Sequence, residues 1–167
     1  MRTQRMKGKR LTKLLAIFAV AAFTISGAFA VETVDLTVPG FVTFYVWDVN
    51  SLTIGSPDPC VLSFENASLT SGNALRISVT AESADFTPPS GTAIPASKVY
   101  WTTSNAAGGN GSNGTLSDTL YTQIFQSIAD PTTGSLDITF KLSAPGASIR
   151  AGNHTLTMRW KAESITP

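Results

Sequence analysis

Beyond residue 30, apolar and polar side chains alternate one for one along most of the chain. Val34, Leu36 and Val38 oppose Thr33, Asp35 and Thr37, and Leu75, Ile77, Val79 and Ala81 oppose Arg76, Ser78, Thr80 and Glu82. Leu136, Ile138, Phe140 and Leu142 oppose Asp137, Thr139 and Lys141; Leu156, Met158, Trp160 and Ala162 oppose Thr155, Thr157, Arg159 and Lys161. Successive side chains of a strand point to opposite faces, so each run predicts a strand with one face in a core and one in water. Shorter runs over 61–65, 99–103 and 120–127 predict further strands. The last also reads as a short helix, because Tyr121, Ile124, Phe125 and Ile128 lie three and four apart.

Clusters of turn-forming residues punctuate these runs: Pro39-Gly40, Gly55-Ser56-Pro57-Asp58-Pro59, Ser71-Gly72-Asn73, Pro88-Pro89-Ser90-Gly91 and Pro145-Gly146. Residues 105–114, NAAGGNGSNG, hold four glycines and no side chain larger than asparagine, which predicts a mobile loop. About eight strands and no long amphipathic helix point to an all-β chain, an antiparallel immunoglobulin-like β-sandwich, with a closed barrel as the second architecture. One domain over 31–167 accommodates them.

The segment FVTFYVWDV, residues 41–49, breaks the rule of one apolar face. Seven of its nine positions are aromatic or aliphatic, with Val42, Phe44 and Val46 on one side and Phe41, Tyr45, Trp47 and Val49 on the other. Two explanations compete. A central strand packed on both faces needs no partner; an exposed Phe41, Tyr45 and Trp47 would form an apolar patch that meets another molecule.

Residues 1–30 carry six cations between Arg2 and Lys13, an apolar run over 14–23, and then Ala28-Phe29-Ala30. That three-part form predicts a signal peptide cleaved after Ala30, and the apolar run is half of the about 20 residues a membrane-spanning helix requires. The expected product is secreted or held at the cell surface without a transmembrane anchor. All eleven acids but only six of the twelve bases follow Ala30, so residues 31–167 carry a net −5 rather than the +1 of the whole chain. Such a balance offers nothing to nucleic acid or to an anionic bilayer.

Small exported domains often depend on disulfides, yet Cys60 is the one cysteine and cannot close an internal bridge. It reads as a free thiol in the core, with an intermolecular disulfide as the alternative. Catalytic chemistry is sparse. His154 is the only histidine, a Cys60–His154 dyad has no supporting motif, and no nucleophile elbow surrounds any serine. Asp48-x-Asn50 opens like a calcium loop but lacks the glycine and closing glutamate at loop spacing. Neither an enzyme, a cofactor nor a metal site is expected.

The run APGASIRAGNHTLTMRWKAESITP carries a resemblance. Ala151-Gly152, the alternating Thr155-Leu156-Thr157-Met158-Arg159-Trp160, and Pro167 resemble the closing strand of bacterial surface sandwich domains, WxL cell-surface domains in particular. This chain has His154 near the usual aromatic and Ala162 where leucine follows the tryptophan, and no functional residue is carried over. A looser similarity is to pilin-like and spore-coat-U-like subunits, which implies assembly by strand complementation. Two functions follow as expectations. The first is a non-enzymatic structural or surface subunit that associates with itself or with other envelope proteins, with Val34, Leu36 and Val38 as strand-donor positions. The second is a glycan-binding module that stacks sugars on Phe41, Tyr45, Trp47, Tyr100 or Trp101.

Overall fold

The computed structural model describes residues 31–167, and the leader expected over 1–30 lies outside them. Among the described residues there are eleven strands: β1 (Thr33–Thr37), β2 (Thr43–Phe44), β3 (Thr53–Ser56), β4 (Cys60–Ser68), β5 (Ala74–Ala81), β6 (Val99–Ala107), β7 (Gly109–Gly111), β8 (Gly114–Thr115), β9 (Thr122–Ala129), β10 (Gly134–Leu142) and β11 (Met158–Ile165). The one helical piece among the described residues is a 3-10 turn over Ala96–Lys98. The expected eight strands become eleven because β3, β7 and β8 are two to four residues long, too short for alternation to register. The segment expected over 120–127 forms no helix; its strand is β9, which begins at Thr122 and runs to Ala129.

The strands form two antiparallel sheets. In the larger, β10 is central: β4 and β3 pair along one side of it, β6 along the other, and β1, β2 and β8 lie outside β4, β3 and β6. The smaller runs β11-β5-β9-β7. Pro57 and Pro59, each after a cis peptide bond, separate β3 from β4, since proline lacks the N–H that a ladder requires. Thr37 pairs with Ser63 and Thr43 with Ser56, so 33–44 and 53–68 are the two arms of one long, interrupted hairpin.

Residues 105–114 are not the loop that their glycines suggest. They end β6, cross to the smaller sheet as β7, and return to the larger as β8. Gly108 makes the crossing at φ +73°, where a Cβ would stand 2.6 Å from the Thr133 carbonyl oxygen. Glycine serves here as the residue of a close backbone approach.

One apolar cluster joins the sheets. Leu62, Phe64, Trp101, Leu136, Ile138 and Phe140 from the larger meet Leu75, Ile77, Val79, Ile124 and Phe125 from the smaller, all buried. Phe64 and Phe125 pack with ring centroids 5.8 Å apart. Val34 and Leu36 of β1, then Val42, Phe44 and Val46, close the cluster from the hairpin's first arm. No helix among the described residues is long and apolar enough to cross a membrane.

Candidate functional site

Residues 41–49 divide as alternation requires, but only Thr43–Phe44 are paired in a sheet. Val42, Phe44 and Val46 pack on the core, while Phe41, Tyr45 and Trp47 are exposed, Trp47 at 95%. The reading of a strand packed on both faces is therefore overturned. The physical reason is position: β2 lies outside β3 at the sheet margin, where one side alone has a core to meet.

The exposed aromatics are not alone. The last pair of the hairpin is Phe44 with Gly55, and the next residues of the two arms, Tyr45 and Ile54, are both exposed, as is Leu52. Five large apolar side chains thus reach solvent within 41–54. Leu52 and Ile54 went unnoticed in the sequence, although Leu52-Thr53-Ile54 alternates; the run is short and abuts a Gly-Pro cluster.

The turn between the arms is well built. Asp48 accepts hydrogen bonds from the Asn50 backbone N–H at 2.9 Å and the Ser51 hydroxyl at 2.6 Å, and the Gly146 N–H donates to the Val49 carbonyl at 2.9 Å. The two bonds to its carboxylate, that of Ser51 foremost, lower the Asp48 pKa. The Asp48-x-Asn50 pattern is thus a self-bonded turn whose carboxylate is occupied locally.

The other aromatic positions separate from this group. Trp101 is buried, donates its indole N–H to the Ser112 carbonyl at 2.8 Å and packs edge-on against Phe140. It is corrected from a stacking residue to part of the core, because its neighbour Tyr100 takes the outward position on β6. Tyr100 is half-buried and pairs with Lys141, which pairs on its other side with Ile54. A row Ile54–Lys141–Tyr100 therefore crosses the outer face.

Val34 and Leu36 of the strand-donor set pack on this chain's own core, and β1 pairs with β4 of its own sheet; Val38 is half-buried just beyond the strand. Cys60 is buried, and its thiol donates to the Pro57 carbonyl at 3.2 Å. Burial, then the charge of Asp58, raises its pKa. His154 places Nε2 2.9 Å from the Arg150 carbonyl oxygen, so the two residues of the weighed dyad each have a separate local partner. Among the described residues no three of His, Cys, Asp and Glu gather as metal ligands.

Compared with protein-family models, with curated proteins and with solved structures, the chain matches none.

Proposed function

We propose that this chain is an exported, non-enzymatic structural subunit of the cell surface, and that the tip of the hairpin over 41–54 is where it meets a second copy of itself. The observation that carries the reading is the joint exposure of Phe41, Tyr45, Trp47, Leu52 and Ile54 on a turn fixed by its own hydrogen bonds. Apolar side chains gathered this way cost solubility, whereas the same residues apposed to a partner would be removed from water at about 25 cal/mol per Å². Export follows from the leader, and an immunoglobulin-like arrangement with pilin-like or WxL-like kinship belongs to the same proposal.

Sedimentation equilibrium of the purified chain tests it. The expected result is reversible association that Trp47→Ser together with Tyr45→Ser abolishes while circular dichroism stays unchanged. A wild-type chain that remains monomeric at millimolar concentration overturns it.

The second reading is a glycan module that stacks sugar rings on Tyr45 and Trp47; the near-complete exposure of Trp47 favours it. Neutral-glycan binding that Trp47→Ala abolishes, in a chain that stays monomeric, selects this reading over self-association.

A further inference from the structure

The outer face of the smaller sheet has a second feature, unconnected with the hairpin. Three strands place side chains in rows there. Lys161 of β11 pairs with Ser78 of β5, which pairs with Gln123 of β9; in the next row Glu163 pairs with Arg76. Serine is the short member of its row, flanked by two long side chains, and the sheet is hollow over it. Arg76, Ser78, Tyr121, Gln123, Lys161 and Glu163 line a depression of about 290 Å³.

Its chemistry departs from that of the rest of the surface. Residues 31–167 are net −5, yet this hollow contains two cations and one carboxylate and is net +1. Glu163 sits between the cations, 3.0 Å from Arg76 Nη2 and 2.5 Å from Lys161 Nζ. It neutralises one of them. Arg76 gives Glu163 only its Nε and Nη2 hydrogens, so donors of the guanidinium remain for another acceptor. Lys161 Nζ lies 5.5 Å from the centroid of the exposed Tyr121 ring, so a charge and an aromatic surface share one wall. The Ser78 hydroxyl and Gln123 amide supply neutral hydrogen-bonding groups to the floor and opposite wall.

We propose that this hollow binds a single sugar unit bearing an anionic group, a uronic acid within an acidic polysaccharide. Arg76 and Lys161 receive the carboxylate, for which an arginine fork is geometrically suited. Ser78 and Gln123 meet ring hydroxyls, and Tyr121 covers an apolar sugar edge. The volume is at the small end of ligand sites, which begin near 300 Å³, and so fits one unit rather than a chain lying along the sheet.

Isothermal titration of the full chain with a galacturonate oligosaccharide tests this, with a neutral hexose oligosaccharide of equal length and inorganic phosphate as the other arms. The uronate is expected to bind at least about tenfold more tightly than either, with affinity falling as salt rises. Ser78→Leu, which fills the hollow, and Lys161→Met should each weaken it about tenfold or more. Glu163→Gln should tighten binding, because it raises the local charge; a merely structural role for Glu163 would not. No uronate binding, or equal binding of phosphate or the neutral sugar, overturns the proposal, as does wild-type affinity in folded Lys161→Met.

Discussion

Glu32 accepts a hydrogen bond at 2.9 Å from the hydroxyl of Ser164, 132 positions away, and so ties the start of β1 to the end of β11. The two strands belong to different sheets, and the same Glu32 oxygen also takes the Thr70 backbone N–H at 2.7 Å. One carboxylate thus links both layers at one end of the molecule.

The Thr70 N–H foremost, and Ser164 with it, hold the Glu32 carboxyl below its ordinary pKa of 4.5. A carboxyl lowered in the folded state adds stability that is fully present above the unfolded value and disappears as pH falls through the folded one. Glu32→Gln should therefore cost about 1 kcal/mol near neutrality and nothing at a pH well under 4.5. Urea titrations of both chains across that range measure the difference, and a cost that persists at low pH would assign it to packing.

The Cys60 thiol should not react with a thiol reagent until denaturant is added, since it is buried and its ionisation is raised by burial and by Asp58. The sign of the pH effect is opposite to that of Glu32. A raised acid contributes fully below its ordinary value of 9.0 and loses that contribution as pH rises beyond it, because the unfolded thiol ionises first. Cys60→Ala should therefore flatten the loss of stability above pH 9.0, read from urea midpoints. Rapid labelling of the folded chain would place the thiol outside the core.

Two tryptophans should respond oppositely to truncation. Trp101 is 1% exposed and Trp47 95%. Trp101→Ala should cost about 3–5 kcal/mol, while Trp47→Ala should stay within about 0.5 kcal/mol. Gly114→Ala should also destabilise, by about 1–3 kcal/mol, because its Cβ would lie 2.5 Å from Trp101 Cζ2. Urea unfolding monitored by circular dichroism checks all three, and equal effects for the two tryptophans would contradict the assigned burial.

The contrast between those tryptophans also marks how far the chain could be read unaided. Period two showed which side chains of β5 and β10 face the core, because a half-buried strand writes its orientation into every second residue. For residues 41–49 the same pattern divided the two faces correctly and left their fates open. Whether Phe41, Tyr45 and Trp47 meet a second layer depends on β2 being marginal, and strand order is set by long-range pairing. Likewise Arg76, Ser78 and Lys161 were legible as polar positions. Their meeting over Ser78 depends on the register of β5 with β11 and β9, to which alternation within one strand is blind.

The final prediction concerns β1, whose side chains fill the core of its own sheet from the margin. Only β4 pairs with it, and the link to β2 passes through Pro39 and Gly40, where nothing lies within 4 Å of a Cβ placed on the glycine. A segment held this way can leave with its contacts intact if an identical edge accepts it. A chain beginning at Phe41 should lose the half-buried Val34 and Leu36 and the Glu32 bonds, roughly 3 kcal/mol in all. Added peptide spanning 31–39 should restore stability in proportion to its concentration, by mass action at the vacated edge of β4. The same peptide with Leu36→Asp should fail, because the carboxylate would enter an apolar site opposite Phe64 without a partner. Thermal melts of the truncated chain across a peptide series measure all three outcomes. Rescue by the Leu36→Asp peptide would show that register and side-chain burial do not govern the pairing, and no rescue by either would show that β1 forms only when covalently joined to its sheet.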